Sequence, residues 1–335
     1  MSKVGVLGAG TWGCALAILL NDNGHEVTIW TKIENEAKAL EASRDNLKNL
    51  PGAKLSNKIK INLNLEEVCT DKDLIVMAVA SPYIRATANA AKPYIKQGQI
   101  IVNVSKGLED STLLTLSEVL EEEIPQADIA VLSGPTHAEE VSRQIPTTIV
   151  VGTTTKETAH FIQDIFMNDV FRVYTSPDII GIELGGSLKN VIALAAGVID
   201  GLGLGDNTKA ALMTRGMAEI SRLGMKMGGK LETFAGLSGM GDLFVTCTSK
   251  HSRNRNAGYL MGQGLTMEEA MKEVNQVVEG VNSAKAALTL ARKYDVEMPI
   301  VEQINKVLFE GKTPKEALND LLIRDKRTEY KSLEW

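Results

Sequence analysis

The chain has 335 residues, long enough for two domains and a sizeable core, and its formal net charge of −6 argues against nucleic acid as a partner. Cys14, Cys69 and Cys247 are odd in number and far apart, which fits buried thiols in a reducing cytoplasm better than a disulfide frame or a zinc site. His25, His137, His160 and His251 show no HxxxH or HExxH spacing, so no metal site is expected.

The apolar run 3–7 leads into Gly8-Ala9-Gly10-Thr11-Trp12-Gly13, then a helical segment at 13–22 and a second strand-like run at 26–30. Strand, glycine turn, helix and strand within about thirty residues is the context that makes GxGxxG informative. Gly8 permits the tight turn, Gly10 lets backbone approach a pyrophosphate, and Gly13 lets the helix pack on the strand. The amides that open the helix would face the phosphates. Residues 4–20 imitate a targeting segment, but Lys3 is a thin cationic end, four glycines break the run, and no small-residue cleavage site follows. No other stretch is expected to reach the length of a membrane span; the best, Val191 to Ile199, is too short.

Further strand-like runs follow at 73–80, 99–104, 128–132, 147–152 and 170–174, with helical segments at 83–92 and 111–123. This alternation predicts an α/β fold with a mostly parallel, Rossmann-type sheet. Three runs end in small or polar residues: Ala80-Ser81-Pro82, Val104-Ser105-Lys106-Gly107 and Leu132-Ser133-Gly134-Pro135. Open α/β sheets bind ligands at that edge. After Tyr174 the strand-like runs stop, and segments at 181–200, 207–226, 266–274, 280–294, 299–309 and 314–323 read as helices. Thr313-Pro314-Lys315-Glu316 has the form of a helix start. The expected division is a dinucleotide-binding domain at 1–180 and an all-helical substrate domain at 181–335, with residues 324–335 a solvated tail.

Between Ile179 and Ile199 the only charged residues are Glu183 and Lys189. A lysine stem lying on apolar surface with its head in water is the ordinary explanation. A helix apolar nearly all round offers little such water, so Lys189 is the candidate to protonate an alkoxide formed by hydride addition. Lys106 ends a strand where cofactor and substrate would meet, although such lysines are often merely solvated. Lys250-His251-Ser252-Arg253-Asn254-Arg255-Asn256 is either a solvated charge run or a set of phosphate donors. The glycine-rich turn before it presents Asp242, either as a helix cap or as the partner of the lysine. Together these residues suggest a small anionic carbonyl compound reduced by a nicotinamide cofactor.

The same segments carry a resemblance. The glycine turn, Ser105-Lys106-Gly107-Leu108-Glu109, Ser133-Gly134-Pro135-Thr136 and Glu183-Leu184-Gly185-Gly186-Ser187-Leu188-Lys189-Asn190 occur in order. Gly239-Met240-Gly241-Asp242-Leu243 leads to Thr246-Cys247-Thr248-Ser249, and Ser252-Arg253-Asn254-Arg255 is followed by Val278-Glu279-Gly280. Across essentially its whole length the chain resembles the bacterial NAD(P)-dependent glycerol-3-phosphate dehydrogenases. The resemblance implies reversible reduction of dihydroxyacetone phosphate to sn-glycerol 3-phosphate, a precursor of membrane phospholipids. It implies that Lys189 is the catalytic acid and base, with Lys106 touching both cofactor and substrate. Gly134, Thr136, Asp242, Ser252, Arg253 and Asn254 match substrate contacts. Thr11, Trp12, Ala138, Arg253, Val277 and Glu279 match cofactor contacts. Ser238 and Met240 stand where Ala and Leu are expected, and Met261 where Leu is; these bear on packing rather than chemistry.

Two rival readings are another two-domain hydroxyacid-type dehydrogenase acting on a carboxylate, and a non-catalytic NAD(P)-binding sensor. The cofactor is expected to be NADP or NAD, with NADPH preferred. The second strand ends Val27-Thr28-Ile29-Trp30-Thr31-Lys32 without a carboxylate, so Thr31 and Lys32 would donate to a 2′-phosphate unless Glu34 reaches the ribose instead. A helical second domain also offers a face for a homodimer.

Overall fold

The computed structural model describes residues 1–44, 50–326 and 328–329. Eight strands form one sheet: β1 (Lys3–Leu7), β2 (Glu26–Trp30), β3 (Lys60–Asn62), β4 (Leu74–Met77), β5 (Ile100–Asn103), β6 (Asp128–Ser133), β7 (Thr147–Gly152) and β8 (Phe171–Ser176). Their spatial order is β3-β2-β1-β4-β5-β6-β7-β8, reversing between β1 and β4 as in dinucleotide-binding sheets. All neighbours run parallel except β6 and β7. The central strands are near-continuous apolar runs because helices cover both faces: Leu74, Ile75, Val76 and Met77 are all fully buried.

Short β3 has no apolar periodicity and carries Lys60 and Asn62 at the sheet edge, so it lies outside the strands read from sequence. The helical segment expected at 111–123 is shorter, Leu116–Glu123. Thr115 accepts from the Glu118 amide and Glu118 reaches back to Thr115, so the capping box starts the helix there.

The glycine turn has the expected build. Gly8 has φ +122, and a Cβ there would lie 2.7 Å from the Ala78 carbonyl oxygen at the end of β4. A Cβ on Gly13 would lie 2.0 Å from the Gly8 carbonyl oxygen, which is how closely helix Thr11–Asp22 rests on the turn. Gly13→Ala is therefore expected to lower stability by about 1–3 kcal/mol, the usual cost of overpacking. Thermal unfolding, with and without cofactor, measures it.

After Ser176 the described residues form helices only. Helix Ile179–Gly201 is central, buried over nearly its whole surface, and its mean hydropathy of 1.5 over a membrane-length window corrects the expectation that no stretch reaches that length. Some 89% of that window is buried inside the protein, which marks it as a core helix. Helix Arg253–Gly262 lies against it at glycine contacts: a Cβ on Gly197 would stand 2.0 Å from the Arg255 carbonyl oxygen, and one on Gly258 would stand 2.0 Å from that of Leu194. Helices Asp206–Lys226 and Glu279–Lys293 complete the shell around it. Thr313 caps helix Pro314–Leu322 as expected, its hydroxyl accepting from the Glu316 amide at 3.3 Å. Of the expected tail, Arg324, Asp325 and Lys326 are exposed, while residues 327 and 330–335 lie outside the described residues.

Candidate active site

The parallel strands β1, β4, β5 and β6 all end at one edge, and their loops there bring the glycine turn, Ser81, Lys106 and Gly134 together. At the glycine turn, Gly10 precedes helix Thr11–Asp22 with no side chain capping the first amides. Gly10 is exposed, and a Cβ on it would meet nothing within 4 Å. Open space in front of uncapped helix amides fits a pyrophosphate. Trp12 and Ala138 pack on the core beside the turn, and Thr11 is half-buried on the first turn of the helix.

Central helix Ile179–Gly201 is held on the sheet by Glu183. Its buried carboxylate accepts from the Ser117 amide at 3.0 Å, from the Ser117 hydroxyl and from Asn103 Nδ2 at 3.3 Å. Burial pushes this carboxyl up to about 7. One turn on, Ser187 Oγ accepts from the Gly107 amide and donates to the Gly107 carbonyl, at 2.9 and 3.0 Å. These bonds put Lys106 and Lys189 on the same carboxylate.

That carboxylate is Asp242. A π-helical turn at Leu237–Gly241 delivers it to the start of helix Asp242–Thr248, where it is 1% exposed. Its Oδ1 accepts from Lys189 Nζ, and its Oδ2 accepts from Lys106 Nζ at 2.6 Å. Lys189, 4% exposed, also donates to Thr246 Oγ1 at 2.6 Å, and Lys106 donates to the Gly134 carbonyl at 3.1 Å. Two ammonium groups share one carboxylate, which leaves the cluster a net cation. Burial lowers the Lys189 ammonium to about 8, against the raising effect of Asp242 and with a further lowering from Lys106. A buried lysine poised near neutral pH is a proton donor in one direction and an acceptor in the other.

Two elements close the site from the helical half. Ser252 caps helix Arg253–Gly262, its Oγ accepting from the Arg255 amide at 3.2 Å, so its hydroxyl proton remains available to a ligand. Asn254 Oδ1 accepts from the Gly280 amide at 2.8 Å, which leaves its amide NH2 to donate. Arg253 is exposed and forms no hydrogen bond or ion pair among the described residues. Glu279 accepts from Asn190 Nδ2 at 3.2 Å, and with Val277 it lines a cavity of about 260 Å³ against Ser81, Gly107 and Glu109. Thr136 Oγ1 donates to the Gly134 carbonyl at 3.1 Å.

At the end of β2 the geometry corrects one expectation. Thr31 is buried, donating its hydroxyl to Glu36 and accepting from the Ile33 amide, so it is not a donor to a 2′-phosphate. Glu34 pairs instead with Lys38, one helical turn along, and Lys32 is exposed without a partner among the described residues. Glu183, Asn103, Ser187 and Thr246 are the positioning residues that sequence reasoning left without a role. Of these only Glu183 carried a signal, as the second charge in an apolar helix.

Models of the N-terminus and the C-terminus of NAD-dependent glycerol-3-phosphate dehydrogenase match residues 3–159 and 178–319. The chain belongs to that family. It is 59% identical to a glycerol-3-phosphate dehydrogenase [NAD(P)+] of Agathobacter rectalis over 100% of both chains. It is 58% identical to one from Fusobacterium nucleatum, over 99% of this chain and 100% of the relative. Its fold superposes on the crystal structure of the Coxiella burnetii glycerol-3-phosphate dehydrogenase with a TM-score of 0.93, at 36% identity, covering 96% of this chain and 99% of that one. The family is the one that the motifs resembled, and it is NAD(P)-dependent.

Proposed function

We propose that this chain reduces dihydroxyacetone phosphate to sn-glycerol 3-phosphate, reversibly, with the division of labour that follows. The observation that carries the reading is the buried pair of Lys189 and Asp242 at the carboxyl edge of a dinucleotide-binding sheet. Residues 1–180 bind the cofactor and residues 181–335 supply most of the substrate site. When bound, the nicotinamide supplies the hydride that reaches the carbonyl carbon, or takes it back. Gly8, Gly10, Thr11, Trp12 and Gly13 seat the dinucleotide, and Ala138, Val277 and Glu279 flank it. Lys189 Nζ gives its proton to the carbonyl oxygen as the alcohol forms, and recovers one in the reverse direction. Asp242 orients that ammonium. Lys106, Gly134 and Thr136 line the reacting end, and Ser252, Arg253 and Asn254 hold the phosphate. Fixing both reactants in register supplies much of the acceleration.

The enzyme acts in the cytoplasm, as a homodimer, and feeds phospholipid synthesis. The deciding assay is loss of NADPH absorbance on adding dihydroxyacetone phosphate. Oxidation with a carboxylate ketone instead, or none with any ketone, would favour the hydroxyacid dehydrogenase or the sensor reading.

NADPH is preferred and NADH is also used. The support is Lys32, an exposed cation beside the end of β2 whose acidic neighbours Glu34 and Glu36 are engaged by Lys38 and Thr31. Lys32→Glu is expected to lower the NADPH to NADH ratio of kcat/KM by about tenfold, the loss of one charge-assisted contact. A native ratio favouring NADH, unmoved by the charge reversal, would show that this strand end does not read the 2′-phosphate.

A further inference from the structure

Two histidines meet where the sheet half and the helical half face each other. His137 follows β6 and immediately precedes helix Ala138–Val141, one residue after Thr136. His251 precedes Ser252, the cap of helix Arg253–Gly262. Their ring centroids are 5.8 Å apart, tilted by 55°. His137 Nε2 is a buried nitrogen without a hydrogen-bond partner among the described residues, whereas His251 is exposed. An orphaned buried nitrogen costs free energy unless something binds it. The two rings stand beside residues assigned above to substrate: Thr136 on one side, Ser252 and Arg253 on the other.

We propose that His137 and His251 form an imidazole pair that takes part in binding the phosphate dianion of the substrate. The inference rests on the functional reading above and extends its anion site. The dianion at the start of helix Arg253–Gly262 would meet Arg253, the Ser252 hydroxyl and the pair together. Charges facing His137 come from several elements: Lys106 and Lys189 oppose its protonation, while Glu139 and Glu140 favour it. Burial adds to the opposing side, so the ring is neutral in the free protein near pH 7. Arrival of a dianion reverses that balance and draws a proton onto the pair from water. Substrate affinity should therefore weaken as pH rises and that proton is lost.

The experiment measures KM for dihydroxyacetone phosphate and Ki for inorganic phosphate between pH 6 and about pH 9, in the native chain, His137→Phe and His251→Phe. Each substitution is expected to raise both constants about tenfold at the lower pH, with KM for NADPH unchanged, and to flatten the pH dependence. His251 is exposed, so its variant tests the pair even if His137→Phe fails to fold. Native KM, native phosphate Ki and a native pH profile in His251→Phe and in folded His137→Phe would overturn the inference alone. Failure of the native chain to use dihydroxyacetone phosphate would overturn the functional reading on which it rests.

Discussion

Replacing Lys189 with methionine is expected to lower kcat by roughly 10²–10⁴-fold, the contribution of a positioned general acid. The fold should survive, because Asp242 keeps Lys106 at 2.6 Å and is not left as an unpaired buried charge. Cofactor binding, measured by fluorescence titration, should stay near native. The pH profile of the native enzyme gives an independent check. Lys189 loses its proton at about 8, so ketone reduction, which needs the ammonium, should decline as pH rises through that value. Alcohol oxidation needs the neutral amine and should rise through the same value. Near-native turnover in a folded Lys189→Met protein would remove the assignment.

Arg253→Ala should act on binding rather than on the proton. A charge-assisted contact to phosphate contributes about 1.5–3 kcal/mol, so KM for the phosphorylated ketone is expected to rise roughly ten- to 150-fold. Arg253 is exposed and has no partner among the described residues, so its removal should leave Tm within about a degree or two of native. The comparison that isolates the phosphate is unphosphorylated dihydroxyacetone. The native enzyme should use it poorly, and Arg253→Ala should change its kinetics little. Equal efficiency with and without phosphate in the native enzyme would show that the anion site lies elsewhere.

The parts legible in the sequence are those decided by local chemistry. The glycine turn is one, since its φ requirement at Gly8 and its close approach at Gly13 are written within six residues. Lys189 is another: a cation in an otherwise apolar helix announces a desolvated site, and burial does lower it to about 8. The capped start at Thr313 is a third. At Thr115 local chemistry outweighs periodicity, and the capping box begins the helix later than the apolar pattern suggests.

Other features depend on groups far apart in the chain. The antiparallel seam between β6 and β7 leaves no local mark, because both strands are apolar whichever way they run. Thr31 reads as an available donor until the following helix turns Glu36 back onto it. Asp242 reads equally well as a cap or as a lysine partner, and the meeting of Lys106 and Lys189 on its two oxygens decides for the second. The meeting of His137 with His251 has the same origin. The sequence by itself determined the sheet class, the glycine turn and the place of one buried lysine, because backbone sterics and burial act on neighbours. Only the tertiary structure decided which charges share a carboxylate and which hydroxyls and imidazoles remain for a ligand, because hydrogen bonds between distant segments exist only once the chain has folded.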